Sequence, residues 1–293
     1  MKRSSWHRRA GAVVLAWLAA TVLVALVHRQ VPAPLWLMVH LLLLGAVTNA
    51  ILIWSGHFAT TLLRLPDTRA KSQQVRLIGL NVAVIAVIAG VLANTLPLVV
   101  LGAIGVAIAI AWHVIELFLG MRRALPSRFG LTGRYYIAAG LLLILGIGLA
   151  VELTRGGSGA GTSLVLSHAT INLFGWVGLS ILGTLITLWP TMLHTRVSPD
   201  AQQHGRIALV PLVIGTLVAA AGLVLAIRPL AVVGVVGYAI GIVALAGPFV
   251  SETRARRPND FATWSVLAGL AWLVGCVSAY AVILAIPGSW EQT

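Results

Sequence analysis

Cysteine is almost absent: the 293 residues include one, Cys276. A disulfide framework needs pairs and a thiolate metal site needs neighbouring thiols, so a single cysteine inside an apolar run supports neither. Charge is nearly as scarce. Asp, Glu, Lys and Arg make up 9% of the chain against 59% hydrophobic residues, more apolar surface than a soluble core of this size can hide. Acidic residues are the rarest class, 7 against 20 basic ones, giving a formal net charge of +13. That excess would point to nucleic acid in a soluble protein. Here no basic face with interleaved aromatics exists, and the basic residues fall in short clusters between apolar runs, so nucleic acid is excluded. The lipid bilayer is the partner that this composition requires. A convincing small-residue cleavage site is also missing after the first apolar run, whose basic start imitates a signal peptide, so the run reads as a retained first span.

What is present is a series of nine apolar segments. They cover roughly 10–27, 35–63, 75–94, 96–119, 135–153, 163–193, 207–227, 230–250 and 264–286, each near or above the ~20 helical residues that a ~30 Å hydrocarbon core needs. Turn signals separate them at Val31–Pro34, Leu65–Asp67, Gly156–Gly159, Ser198–Asp200 and Arg257–Asp260. Pro97, Pro211 and Pro229 are read near span starts, where a missing N–H costs little, and Pro190 late in the sixth span, where it ends or bends the helix. The chain is therefore expected to be one all-α polytopic membrane domain over 1–293. With the N-terminus inside, 17 of the 20 basic residues face the cytoplasm and only Arg29, Arg155 and Arg228 lie outside. That bias predicts N-in, C-out topology in a bacterial cytoplasmic membrane. Trp36, Trp189 and Trp290 are read as interfacial anchors, and Asn49, Asn81 and Asn94 as interhelical hydrogen-bond partners.

Within the spans, titratable groups are few and costly at membrane depth unless they face protein, so each marks a candidate site. The sixth span carries His168, Thr170 and Asn172 in its first third and Gly175, Gly178 and Gly183 beyond them. These glycines offer small surfaces to another helix or to a flat cofactor. Counting back from Arg64 and Arg196 at helical rise puts His40 and His168 roughly 36–42 Å from the inner loops, near the outer face. His57 and His113 lie roughly 10–14 Å from the inner loops, and Glu116 shares a helix face with His113 at i+3. Neutral imidazoles on two helices are suitable axial ligands for a b-type heme, so His40 and His168 are the candidate heme-iron ligands, with Asn172 and Gly175 beside the cofactor. A histidine bound to a backbone carbonyl or water at the interface is an equally good reading of each. His57, His113 and Glu116 form a weaker second group, read first as a His–Glu hydrogen bond that steadies packing and second as a metal site. At ~100° per residue, His40 and His57 stand about 100° apart, which argues against two stacked hemes on one helix. His7, His28, His194 and His204 are read as solvated or interfacial.

The run His168-Ala-Thr170-Ile-Asn172-Leu-Phe-Gly175-Trp-Val-Gly178 resembles a segment of the main membrane subunit of heme-copper oxidases, of the cbb-type and nitric-oxide-related branch. In that family a His-x-His pair precedes Gly-Trp-Val-Gly at the same spacing. The resemblance implies that His168 takes the place of the high-spin heme ligand, while Thr170 stands where the low-spin histidine would be. The second span, HLLLLGAVTNAILIWSGHFATTLLR, resembles the membrane region found with some bacterial multicopper oxidases. By the oxidase pattern its His40 or His57 would match a low-spin heme ligand.

The family's copper finds no counterpart. No His-His dipeptide occurs, and Tyr135 and Tyr136 lie at the opposite end of the membrane from His168, so the chain alone is not expected to reduce oxygen to water. The leading expectation is a heme b protein that carries electrons or handles a small gas, meeting a redox partner on the outer face, and more a carrier than an enzyme. The alternative is a cofactor-free transporter or scaffold whose histidines pack or relay protons. Inverted repeats would favour transport, but only a loose echo of ATTLLR at 59–64 in PTMLHTR at 190–196 is visible.

Overall fold

A computed structural model describes residues 3–62, 70–123, 130–156 and 161–288. The readings made for Lys2, Arg64, Arg69, Arg128, Trp290 and the turns at 65–67 and 157–159 lie outside these residues, as does the side chain of His7. Among the described residues all regular structure is helical, and nine helices are long and apolar enough to cross a membrane. The chain is a multi-pass, all-α membrane protein. Helices suit the bilayer because each satisfies its own backbone donors and acceptors where water is absent.

We number the spans in chain order. They are α1 (Arg3–Leu26), α2 (Pro34–Leu62), α3 (Ala70–Leu92), α4 (Leu96–Arg123), α5 (Gly130–Gly156), α6 (Thr162–Met192), α7 (Ala201–Val224), α8 (Arg228–Ala255) and α9 (Phe261–Ala285). Several helices outrun the apolar segments read from the sequence, because backbone hydrogen bonding continues past the lipid-soluble stretch. Pro211 is thereby corrected: α7 begins at Ala201, so Pro211 lies inside the helix. Pro190 falls in the last turn of α6, which ends at Met192. Pro34 and Pro229 do sit in first turns, and Asp260 caps α9 in a box with Thr263.

Two spans are not regular. In α2 the segment Leu41–Val47 is π-helical, and in α6 the segment Ile171–Gly178 is. Such wide turns are rare and recur at functional sites. The regular ~100° step therefore fails across α2, and the angle assigned above to His40 and His57 does not hold.

The helices gather into two compact units, Met1–Leu125 and Pro126–Thr293. Every span is apolar, so no composition shift marks the boundary. In the first unit α1 packs along the π-helical part of α2, and α3 and α4 form a tight hairpin. In the second, α5 packs along α6, α7 and α8 form the hairpin, and α9 lies on α8.

The two hairpins repeat each other at a fixed separation of 132 positions. Gly90, Pro97, Leu98, Gly102, Gly105 and Ile108 recur as Gly222, Pro229, Leu230, Gly234, Gly237 and Ile240. Their turns share one hydrogen-bond pattern. Asn94 N–H donates to Val91 O and Thr95 N–H to Gly90 O at 3.1 and 2.8 Å; Ala226 N–H donates to Leu223 O and Ile227 N–H to Gly222 O at 3.1 and 2.7 Å. Asn94 and Ala226 both take left-handed backbone, with φ of 52° and 53°. Asn94 thus belongs to a turn rather than to an interhelical bond. The close approaches match as well: a Cβ on Gly90 or Gly222 would strike the backbone N of Val99 or Ala231, and one on Gly102 or Gly234 that of Val87 or Ala219. Glycine is required there because two backbones meet without room for a side chain.

Candidate functional site

In the second unit, His168 lies partly buried one turn before the π-helical segment of α6. Its Nδ1 is 3.0 Å from the carbonyl oxygen of Gly146 on α5. A carbonyl only accepts, so Nδ1 carries the proton and the lone pair rests on Nε2. Asn172, one turn on, donates from Nδ2 to the carbonyl of His168 at 2.7 Å and also lies within 3.4 Å of both ring nitrogens. Its Oδ1 is buried with no hydrogen-bond partner. Thr170 faces away from the imidazole, its hydroxyl 2.8 Å from that of Tyr280 on α9.

Gly146 is packed against the Asn172 amide, Gly175 of α6 against Leu142 of α5, and Gly183 against Tyr135, helix contacts of the kind that small residues permit. Behind Gly178 the Tyr238 ring stacks on Phe174 at 4.4 Å, and its hydroxyl donates to Phe174 O at 3.2 Å, supporting the π-helical backbone. Tyr238 and Tyr280 carry no motif and are visible only through packing.

In the first unit, His40 is held much as His168 is. Its Nδ1 is 2.7 Å from Trp36 O and its ring stacks on Trp36 at 4.1 Å, immediately before the π-helical segment. The carbonyls of that segment are taken by side chains: Thr48 Oγ1 donates to Leu43 O at 2.9 Å and Asn49 Nδ2 to Gly45 O at 2.7 Å. Asn49 and Asn81 bond each other at 2.9 Å, and Trp17 Nε1 donates to Asn81 Oδ1 at 2.6 Å, the interhelical role expected of both asparagines.

The inner group is rearranged. Glu116 accepts from Ser72, from Arg76 and, at 3.1 Å, from Trp112 Nε1. Arg76, read as a loop cation, is instead buried within α3 at 2% exposure and ion-paired to Glu116. His113 turns to Ser55, whose Oγ is 2.8 Å from Nε2. The one hydroxyl proton of Ser55 goes to Ile51 O at 2.5 Å, so Nε2–H of His113 donates to Ser55. His57 lies edge-on to Trp54. Among the described residues no group of three or more His, Cys, Asp or Glu stands close enough to hold a metal ion. His57, His113 and Glu116 are therefore not brought together as a three-ligand set.

One further position differs from the sequence reading. Trp189 is not an interfacial anchor: it is fully buried with Leu185 and Leu193, its Nε1 3.1 Å from Thr253 Oγ1. His204 is half-buried, its Nδ1 2.7 Å from Ala244 O on α8. No family model matches the chain, and neither a curated protein nor a solved structure is similar to it.

Proposed function

We propose that the chain is a heme-binding protein of the bacterial cytoplasmic membrane, with the N-terminus inside, and that it carries electrons or handles a small gas. The observation that carries this reading is the hydrogen bond between His168 Nδ1 and the carbonyl of Gly146. An imidazole that ligates a metal through one nitrogen characteristically donates its other N–H to a carbonyl or carboxylate, and His168 makes that bond to Gly146. The donor chemistry fits, because a neutral imidazole with its lone pair on Nε2 is an axial ligand for heme iron.

Each nearby residue then has a task. Gly146 O fixes the ring orientation, and Asn172 tethers the turn that bears it. Tyr238 and Phe174 stiffen the backbone beyond. A bound heme would supply one-electron chemistry or a gas-binding iron; the protein's part is to hold the ligand and exclude water.

Protein purified in mild detergent after expression with heme supply should show a Soret band, and His168→Ala should abolish or shift it. A Soret band of unchanged position and intensity in His168→Ala would refute the assignment. The companion variant His40→Ala tests, in the same assay, whether the imidazole of the first unit also holds heme iron, as the sequence suggests. Oxygen uptake with an artificial donor should stay at background, since no copper site accompanies His168 in the sequence.

A further inference from the structure

The 132-position repeat lets one unit serve as the reference for the other. In both units a first span lies against a long second span that contains the π-helical segment. In the second unit the lower part of that contact is closed by aromatic and hydroxyl groups. Tyr135 fills the space over Gly183, the Tyr136 hydroxyl is 2.7 Å from that of Thr184, and Thr132 meets Thr187 at 3.1 Å. All three α5 residues are buried.

In the first unit the described residues of α1 and α2 leave an open groove. Between α1 and the second half of α2 runs a groove of about 350 Å³, walled by Gly11, Leu15, Ile53 and Trp54, with Arg8 at its inner end. A Cβ on Gly11 would meet nothing within 4 Å, and Trp54 is 50% exposed beside it.

The chemistry of the groove selects its occupant. Its walls are apolar and lie within a membrane-spanning helix pair, so lipid chains are the available filling. From Arg8 to Leu15 the groove descends roughly 10 Å at helical rise, from the interface into the hydrocarbon. Arg8 stands where α1 enters its apolar stretch, at headgroup depth, and a guanidinium recognises phosphate through paired N–H donors. Trp54 adds an amphipathic ring of the kind that lines membrane interfaces. An amphiphile with an anionic head and an acyl tail satisfies both ends at once.

We propose that the groove between α1 and α2 is a binding site for an anionic phospholipid, with its phosphate on Arg8 and an acyl chain along Gly11, Leu15, Ile53 and Trp54. The site is independent of the heme assignment. Binding is measured on the full chain in mild detergent, delipidated and titrated with phosphatidylglycerol, phosphatidylcholine or inorganic phosphate, using native mass spectrometry and thermal unfolding. Phosphatidylglycerol should be retained about tenfold more tightly than phosphatidylcholine, because the choline cation of the latter already balances its phosphate and repels the Arg8 guanidinium. Arg8→Gln should erase that preference while leaving weak retention of both lipids. Gly11→Leu, whose Cβ meets nothing within 4 Å and whose side chain enters the groove, should remove retention of both with the unfolding temperature kept. Equal retention of the two lipids by the wild type, wild-type retention in Gly11→Leu, or a thermal shift with inorganic phosphate equal to that with phosphatidylglycerol would each overturn the proposal.

Discussion

Adding one methyl group at Gly234 tests whether the hairpin repeat is a real constraint on packing. The new Cβ would fall on the backbone N, Cα and Cβ of Ala219, none of which is the end of a flexible chain, so α7 and α8 must part. Overpacking of this kind costs about 1–3 kcal/mol. Against it, alanine gains up to about 1 kcal/mol over glycine within a helix. The net expectation for Gly234→Ala is a loss of roughly 1–2 kcal/mol. Gly102→Ala should lose a similar amount, since its Cβ would strike Val87 N and Ala83 O at the equivalent place in the first unit. Gly269→Ala on α9 has nothing within 4 Å and supplies the control, unchanged or slightly stabilised. Thermal unfolding of the three purified variants in one detergent gives the comparison. If Gly234→Ala and Gly269→Ala unfold at the same temperature, the close approach of α7 and α8 is not what glycine is there to permit.

Two further perturbations have a defined direction. Arg76→Ala leaves the Glu116 carboxylate without its cation and should destabilise the first unit by about 3 kcal/mol, the cost of breaking a buried pair from one side. Arg76→Ala with Glu116→Gln should recover much of that loss in the same unfolding assay, because the second unit holds Ala208 and Pro248 at the equivalent positions; equal instability of the single and double variants would contradict this. At the start of α9, the Thr263 backbone N–H and then its hydroxyl hold the Asp260 carboxyl below the usual aspartate range. A depressed folded value means that the cap's contribution is complete above the unfolded aspartate pKa of about 3.9 and fades as pH falls through the lower folded value. Amide exchange at Thr263 should therefore rise, relative to α9 interior amides, only in strong acid. Asp260→Asn should remove that pH dependence.

The nine spans were legible because hydropathy over ~20 residues reports a property that lipid itself imposes. Helix ends were less so. Residues such as Gln202 and Arg206 are too polar for an apolar window, yet they lie in the first turns of α7 and move Pro211 into its interior. The repeat was also present in the sequence, in Gly90-x6-Pro97-Leu98 and Gly222-x6-Pro229-Leu230. The loose echo between 59–64 and 190–196 lies in spans whose side chains have diverged. The signal lies in the hairpins, where backbone contact fixes the glycines and little else can vary.

The candidate site was legible in its residues and not in its partners. His40, His168 and Asn172 stood out because polar groups are rare at membrane depth, and the structure places each of the three at or beside a π-helical segment. What each one touches depends on which residue of a neighbouring helix arrives at the same height, and spacing along one helix cannot report that. Glu116 is the clearest case. Its i+3 relation to His113 invited a His–Glu pair, but Arg76 and Ser72 come from α3 and take the carboxylate. An ionised carboxylate in low dielectric is stabilised more by a guanidinium and a hydroxyl than by one imidazole, so the cross-helix partners win. His113 is left to Ser55, and the inner group becomes two separate bonded pairs. The same logic runs the other way at His168. Its partner is a backbone carbonyl on α5, that of Gly146, where a Cβ would strike the Asn172 amide, and a carbonyl can fix a tautomer without taking a proton. Of the titratable groups read at membrane depth, His168 is thus held by a neighbouring helix in the form that a metal requires, and the heme assignment rests there rather than on the resemblance.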